Sequence, residues 1–249
     1  MAKAMTRGIA IVLCLVFLGG FEEPYIRKDR AFYEKRGEIV WEVPLEVKKI
    51  ALTFDDGPYP ATTEPILDLL KEYGAKATFF VLGNRVERYP ETVKREVEEG
   101  HEVANHTFNH VYFKDAIKSI TIQEEIVSTD RLLMELTGRK PMLFRPPGGF
   151  YSEESIRIAK QLGYTTVLWS WHKDTNDWRS PGVGYIVRKV LNNTRNGDIV
   201  LLHDYIPGSR QTVEALKQIL PELKKQGFQI VTVSELLHDK AGAQMPIGL

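Results

Sequence analysis

The chain has 249 residues, 43% hydrophobic and 27% charged, which suits one globular domain with a sizeable core, and no Gly/Ser- or Pro-rich linker divides its middle. Lysine plus arginine and aspartate plus glutamate each total 33, so the formal net charge is zero and the basic excess of a nucleic-acid binder is missing. Cys14 is the only cysteine, which excludes disulfides and cysteine metal clusters and leaves any metal site to histidine and carboxylate.

At the N-terminus Lys3 and Arg7 precede fourteen uncharged residues, Gly8 to Phe21. A basic start and a short apolar run read as an export signal. The run is short for a full membrane span, which needs roughly 20 residues. No small-x-small cleavage site follows, so residues 1–21 are assigned as a signal peptide or a retained membrane anchor. The protein is expected outside the cell or at its surface. Residues 22–46, charged with scattered aromatics, are assigned as a stalk.

A regular rhythm begins near Lys48, and a catalytic domain is expected over 47–238. The stretch 49–54 reads as a buried strand. Residues 62–74 read as a helix, with Thr63 as cap, Pro65 in the first turn and Gly74 at the end. Strands are expected at 77–83, 101–106, 142–144, 164–170 and 198–203, with a last one beginning at 228. Helices are expected at 90–100, 121–138, 152–163, 184–197 and 211–227. The tail 239–249 is expected to be loose. About seven strand–helix rounds imply a parallel sheet covered by helices, closed as a barrel or open and doubly wound. No G-x-G-x-x-G follows the first strand, which argues against dinucleotide binding. The expected fold is α/β, an irregular (β/α) barrel of about seven strands.

In such barrels chemistry gathers at the C-terminal ends of the strands. Five strand ends deliver polar groups there: Asp55 and Asp56; His106 and His110; Arg145; Asp174, Asp177 and Trp178; and His203. His106 and His110 stand four apart, which places them on one face of a helical turn. Two histidines and a carboxylate give three protein ligands and leave coordination positions open, the pattern of a catalytic metal. Zn²⁺ is the first expectation, and Co²⁺, Mn²⁺ or Fe²⁺ suit the same ligands. This gives a reason for two adjacent aspartates: one ligates the cation, and its neighbour stays ionised to take a proton. A turn accounts for one Asp and the Gly-Pro, but not for the second Asp.

The motifs "TFDDGP", "HTFNH", "RPPGG", "DTNDW" and "LLH" stand in the order and approximate spacing of the polysaccharide deacetylases, the NodB-homology enzymes of carbohydrate esterase family four, which the chain resembles over residues 48–237. The resemblance implies that Asp55 is the general base and that Asp56, His106 and His110 bind the metal. It implies that His203 is the general acid and that Arg145 fixes Asp55. Asp177 then either balances Arg145 or tunes His203. Trp178 and Leu201 are expected to wall the acetyl pocket, and Pro147 and Gly148 belong to a loop with a backbone N–H for the oxyanion. The implied substrate is a cell-wall glycan, peptidoglycan first because of the export segment and chitin oligomers next; a monomer is expected, and the charge balance argues against a nucleic-acid partner. Gly148 and Gly149 stand where many members carry an aromatic after R-P-P, so an aromatic wall for the sugar is expected to be lost. His101 is read as a surface or structural residue, Asn105 as support for His106, and Trp171 and His172 as sugar contacts or core packing.

Overall fold

The computed structural model describes residues 29–114 and 117–244. The expected export or anchor segment, the first residues of the expected stalk and residues 245–249 lie outside these. No helix among the described residues is long and apolar enough to cross a membrane.

Helix α1 (Arg30–Lys35) and strand β1 (Ile39–Val40) come first. Then strands β2 (Lys49–Asp55), β3 (Thr78–Val81), β4 (Glu102–Asn105), β5 (Leu143–Phe144), β6 (Thr165–Val167), β7 (Ile199–His203) and β8 (Gln229–Ile230) alternate with helices. The helices are α2 (Pro60–Glu72), α3 (Gly83–Arg88), α4 (Pro90–Glu98), α5 (Ser119–Thr137), α6 (Glu153–Gln161), α7 (Val183–Leu191), α8 (Gln211–Lys225) and α9 (Val233–Gln244). All strand pairs are parallel, in the order β1-β6-β5-β4-β3-β2-β7, with β8 also on β2. Parallel neighbours need crossovers, and the helices supply them on the outside. The sheet curls into an irregular (β/α) barrel. Its gap is bridged by Asp174 against Leu201 and Glu42 against Asp198.

Strand β2 shows why the sequence reads as a continuous apolar run. Ile50, Leu52 and Phe54 pack outward with Leu67, Leu216 and Ile219, whereas Ala51 packs inward with Phe80 and Val167. Both faces are buried, so the period-two alternation of an exposed strand is lost. Thr53 and Asp55 share the inward face with Ala51, which aims Asp55 into the barrel mouth.

Four expectations change. Residues 29–46 are not a free stalk. Asp29 caps α1, β1 pairs with β6, and Tyr33, Ile39 and Val43 are buried. Tyr33, Ile39 and Val43, with Val40, Trp41 and Leu45 packed beside them, are spaced too irregularly among charges to show a period. The tail is not loose from 239, because α9 runs to Gln244. Helix α2 starts at Pro60, which puts Pro65 inside it; the Thr63 hydroxyl accepts from the Tyr59 N–H at 2.8 Å rather than capping a later start. Finally, the segment after β3 enters α3, where part of the strand was expected to continue.

Candidate active site

The two aspartates part company because the backbone turns between them. Asp55 ends β2 in extended conformation, whereas Asp56 has φ +74°. That left-handed conformation is costly for a non-glycine residue and is held by its surroundings. Asp55 Oδ1 accepts from Arg145 Nη1 at 2.7 Å. Asp56 Oδ1 instead lies 3.5 Å from His106 Nε2 and 3.2 Å from His110 Nε2.

His106 and His110 do meet, with ring centroids 5.3 Å apart, but not on a helical turn. Thr107 and His110 both have positive φ, at +74° and +62°. Side chains satisfy this loop's N–H groups in place of a helix. Asn105 accepts from Thr107, Glu125 from Phe108 and Asn109, and the Thr107 hydroxyl from His110. Asn105 thus shapes the loop that follows His106. His106 Nδ1 lies 2.7 Å from the Arg145 carbonyl, so Nδ1 carries the hydrogen and Nε2 presents its lone pair to Asp56. Burial lowers the His106 pKa, more than Asp55 and Asp56 raise it.

Arg145 is fully buried, yet its donors are used. Nη1 also reaches the Thr53 hydroxyl at 2.8 Å, Nε the Val167 carbonyl at 3.1 Å and Nη2 the Leu168 carbonyl at 2.9 Å. The guanidinium lies 3.9 Å from the Phe80 ring centroid. A planar fork suits these divergent acceptors in a way a lysine would not.

Asp177 pairs with His203 and not with Arg145. Its Oδ1 lies 2.7 Å from His203 Nδ1, while Oδ2 accepts from the His203 N–H and the Thr212 hydroxyl, each at 2.8 Å. Burial alone would lower the His203 pKa, but Asp177, helped by Asp56 and Asp55, raises it to about 10.

Asp55, Asp56, His106, His110, Leu201, Trp178, Gly148 and His203 line one cleft of about 440 Å³. Arg145, Asp177 and Pro147 are buried and do not line it. Tyr112, Phe150, Trp169, Asp174 and Arg179 line it as well, and of these only Asp174 stood among the strand-end candidates. The aromatic wall is therefore not lost. Phe150, two residues after Gly148, packs edge-on against Tyr112 at 5.4 Å, and Tyr112 against His110 at 5.2 Å. Gly148 has φ +61°, and a Cβ there would lie 2.7 Å from the Tyr112 ring, so the glycine makes room for this pair. Aromatics after R-P-P-G-G were the available signal. His101 is buried and takes the Ala77 N–H at 3.2 Å, a structural role.

The donor set suits a divalent cation. One ligand atom each of Asp56, His106 and His110 lies within 4.8 Å of the others. Asp56 Oδ1 is buried with no hydrogen-bond partner, a costly condition that a cation relieves. Glu42, His172 and Asp198 also cluster, but there Arg30 lies 2.9 Å from Glu42 and Lys173 3.8 Å from Asp198, so positive charge is already supplied.

The family model described as polysaccharide deacetylase matches residues 42–167. A peptidoglycan-N-acetylglucosamine deacetylase of Bacillus cereus is 51% identical over 83% of this chain and 96% of its own length. Among solved structures, the Bc1960 peptidoglycan N-acetylglucosamine deacetylase superposes with a TM-score of 0.77 at 34% identity, over 82% of this chain and 94% of that one. BA3943 of Bacillus anthracis, described as a CE4 family pseudoenzyme, superposes with a TM-score of 0.74 at 29% identity, over 81% and 69% of the two chains.

Proposed function

The chain belongs to the polysaccharide deacetylase family, and from that premise we propose that it hydrolyses the N-acetyl groups of amino sugars in a cell-wall glycan, peptidoglycan first, releasing acetate. One observation carries the reading. Neighbouring carboxylates at the end of β2 face different groups: Asp55 accepts from an arginine, whereas Asp56 lies against two imidazoles.

In this reading Asp56, His106 and His110 hold a divalent cation, with Zn²⁺ the first choice. When bound, such a cation supplies Lewis acidity to the amide carbonyl and to water. Asp55, held in place by Arg145, takes the proton of the attacking water through Oδ2, which lies 3.7 Å from His106 Nε2. A backbone N–H of the Arg145–Gly149 turn donates to the oxygen that gains charge at the carbonyl carbon. As the C–N bond breaks, His203 Nε2 gives its proton to the nitrogen, which leaves as an amine and not as a poor anionic leaving group. Asp177 holds the opposite ring nitrogen and keeps that proton in place. Leu201 and Trp178 wall the acetyl methyl group, Tyr112 and Phe150 offer ring faces to the sugar, and Pro147 supports the turn from behind. Lys3, Arg7 and the apolar run to Phe21 support export or anchoring, which brings the monomer to its substrate.

Because BA3943 shares the fold, the fold alone does not establish turnover. The Asp55, Asp56, His106, His110 and His203 set argues for it against a binding-only protein. The test is acetate release from purified peptidoglycan and from N-acetylglucosamine oligomers, before and after chelation and after Zn²⁺ is restored. Release that stops and returns supports the reading. An absence of metal-dependent release from either glycan favours the binding-only protein, and release from O-acetylated glycan alone favours an esterase.

A further inference from the structure

Trp171 is 71% exposed, the most exposed large hydrophobic residue among those described. A lone exposed indole is ordinary on a protein surface, and what sets this one apart is the polar and basic hollow it borders. It is also braced. Its ring meets that of His172 at 5.5 Å, His172 Nε2 lies 3.2 Å from Asp198 Oδ2, and that oxygen accepts the Arg195 N–H at 2.8 Å. The indole therefore rests against a ring that is itself held in place.

Facing it is the outer side of α7. Tyr185, Arg188, Lys189 and Asn192 follow one another at helical spacing and share that side, while Ile186 and Val190 turn into the core. With Trp171 and Arg195 they enclose a hollow of about 300 Å³. No residue lining it lines the catalytic cleft. It lies beside Asp198 at the start of β7, and His203 ends that strand, about 16 Å away at the rise of a parallel strand.

The hollow brings three basic side chains together with no acid among the residues that line it. Arg188, Lys189 and Arg195 have no ion pair among the described residues. Their field is felt nearby. Burial lowers the Lys173 pKa to about 8, and Lys189 and Arg195 add to that against Asp198. Three unanswered cations beside an exposed indole, a tyrosine and two asparagines make a site for a sugar ring that carries an anion. The ring face packs on Trp171, amides meet hydroxyls, and the guanidinium and ammonium groups meet a carboxylate. A neutral glycan would leave the cations unanswered. A membrane would want a broader apolar face than one indole.

We propose that this flank of α7 is a second glycan-binding surface that holds carboxylate-bearing sugar units of the wall polymer while another part of the same strand occupies the cleft. The identity of the polymer rests on the deacetylase reading; the surface itself does not.

The test uses the full chain and two variants, Trp171→Ala and the double change Arg188→Ser with Lys189→Ser. None of these residues belongs to the catalytic cleft. Co-sedimentation with insoluble peptidoglycan is compared with neutral chitin and with anionic lipid vesicles. Wild type is expected to favour peptidoglycan, and each variant to lose roughly tenfold in affinity for it, as removal of a main anchor does. Acetate release from short, soluble N-acetylglucosamine oligomers should be unchanged, with KM rising only on the polymer. Wild-type binding by both variants overturns the proposal. So does equal loss on chitin, or a loss confined to vesicles. If wild type releases no acetate from any glycan, the catalytic reading fails while the binding comparison still decides this one.

Discussion

Arg145 and Asp55 form an ion pair of 2.7 Å across the barrel interior, with side-chain exposures of 0% and 5%. Arg145 has no water to fall back on, and Asp55 meets solvent only at the cleft. Removing one leaves the other as a buried, uncompensated charge.

Arg145→Ala is therefore expected to destabilise the fold by about 3–5 kcal/mol. Arg145→Lys should recover little, since one ammonium cannot reach Thr53, Asp55, Val167 and Leu168 together. Asp55→Asn should keep cation binding and lose most turnover, whereas His106→Ala should lose both. Thermal unfolding, metal titration and acetate release separate these outcomes. Full activity in Asp55→Asn would remove the proposed base.

The Asp177 pair gives a pH dependence with a definite sign. His203 is raised from 6.5 to about 10 in the fold, so the folded chain holds this proton more tightly than the unfolded one. Its contribution to stability is complete below about pH 6.5 and is lost as pH climbs through 10. Asp177→Asn should bring the His203 pKa down, as read by NMR titration of the ring. A His203 pKa that does not move would contradict the pairing. His203→Ala should slow amide cleavage more than cleavage of an activated ester, whose leaving group needs no proton.

Asp204 behaves in the opposite sense to an ordinary carboxylate. Burial raises its pKa from 3.8 to about 7, with Asp56 and Asp55 adding to this and the Thr63 hydroxyl opposing it. The fold prefers the protonated acid, so this contribution is present below 3.8 and is lost as pH rises through 7. Asp204→Asn keeps an acceptor for Thr63 and does not ionise. With chelator present, it should raise Tm relative to wild type at pH 8 and change it little at pH 4. A gain at low pH alone would contradict this account.

Gly197 locks the N-terminal segment to the barrel. It has φ +82°, and a Cβ there would lie 1.6 Å from the Val43 carbonyl oxygen, whose own N–H donates to the Gly197 carbonyl at 2.9 Å. Gly197→Ala should cost at least about 2 kcal/mol by strain and lost docking. It should also open residues 29–46 to proteolysis. An unchanged Tm and cleavage pattern would show that this contact does not hold the segment.

Much of the site was readable because a parallel barrel sends every strand's C-terminal end to one mouth. Polar residues after successive strands could thus be grouped without coordinates, and Asp55, Asp56, His106, His110 and His203 do line one cleft. The histidine spacing was read correctly as proximity and wrongly as a helix. Hydrogen bonds donated by the Phe108 and Asn109 N–H groups to the Glu125 carboxylate replaced the backbone ladder that the spacing assumed. Residues 29–46 looked like a stalk because two-residue pairing such as β1 on β6 leaves no periodic trace.

The sequence by itself determined the alternation of strand and helix and the kinds of group at each strand end. These depend on residue type and on spacing along the chain. Only the tertiary structure decided that Asp55 takes Arg145, that Asp177 takes His203, and that Tyr112 with Phe150 walls the cleft. Each of those choices is a contact between segments far apart in sequence, ninety residues in the case of Arg145 and Asp55, and close packing fixes it where local preference cannot.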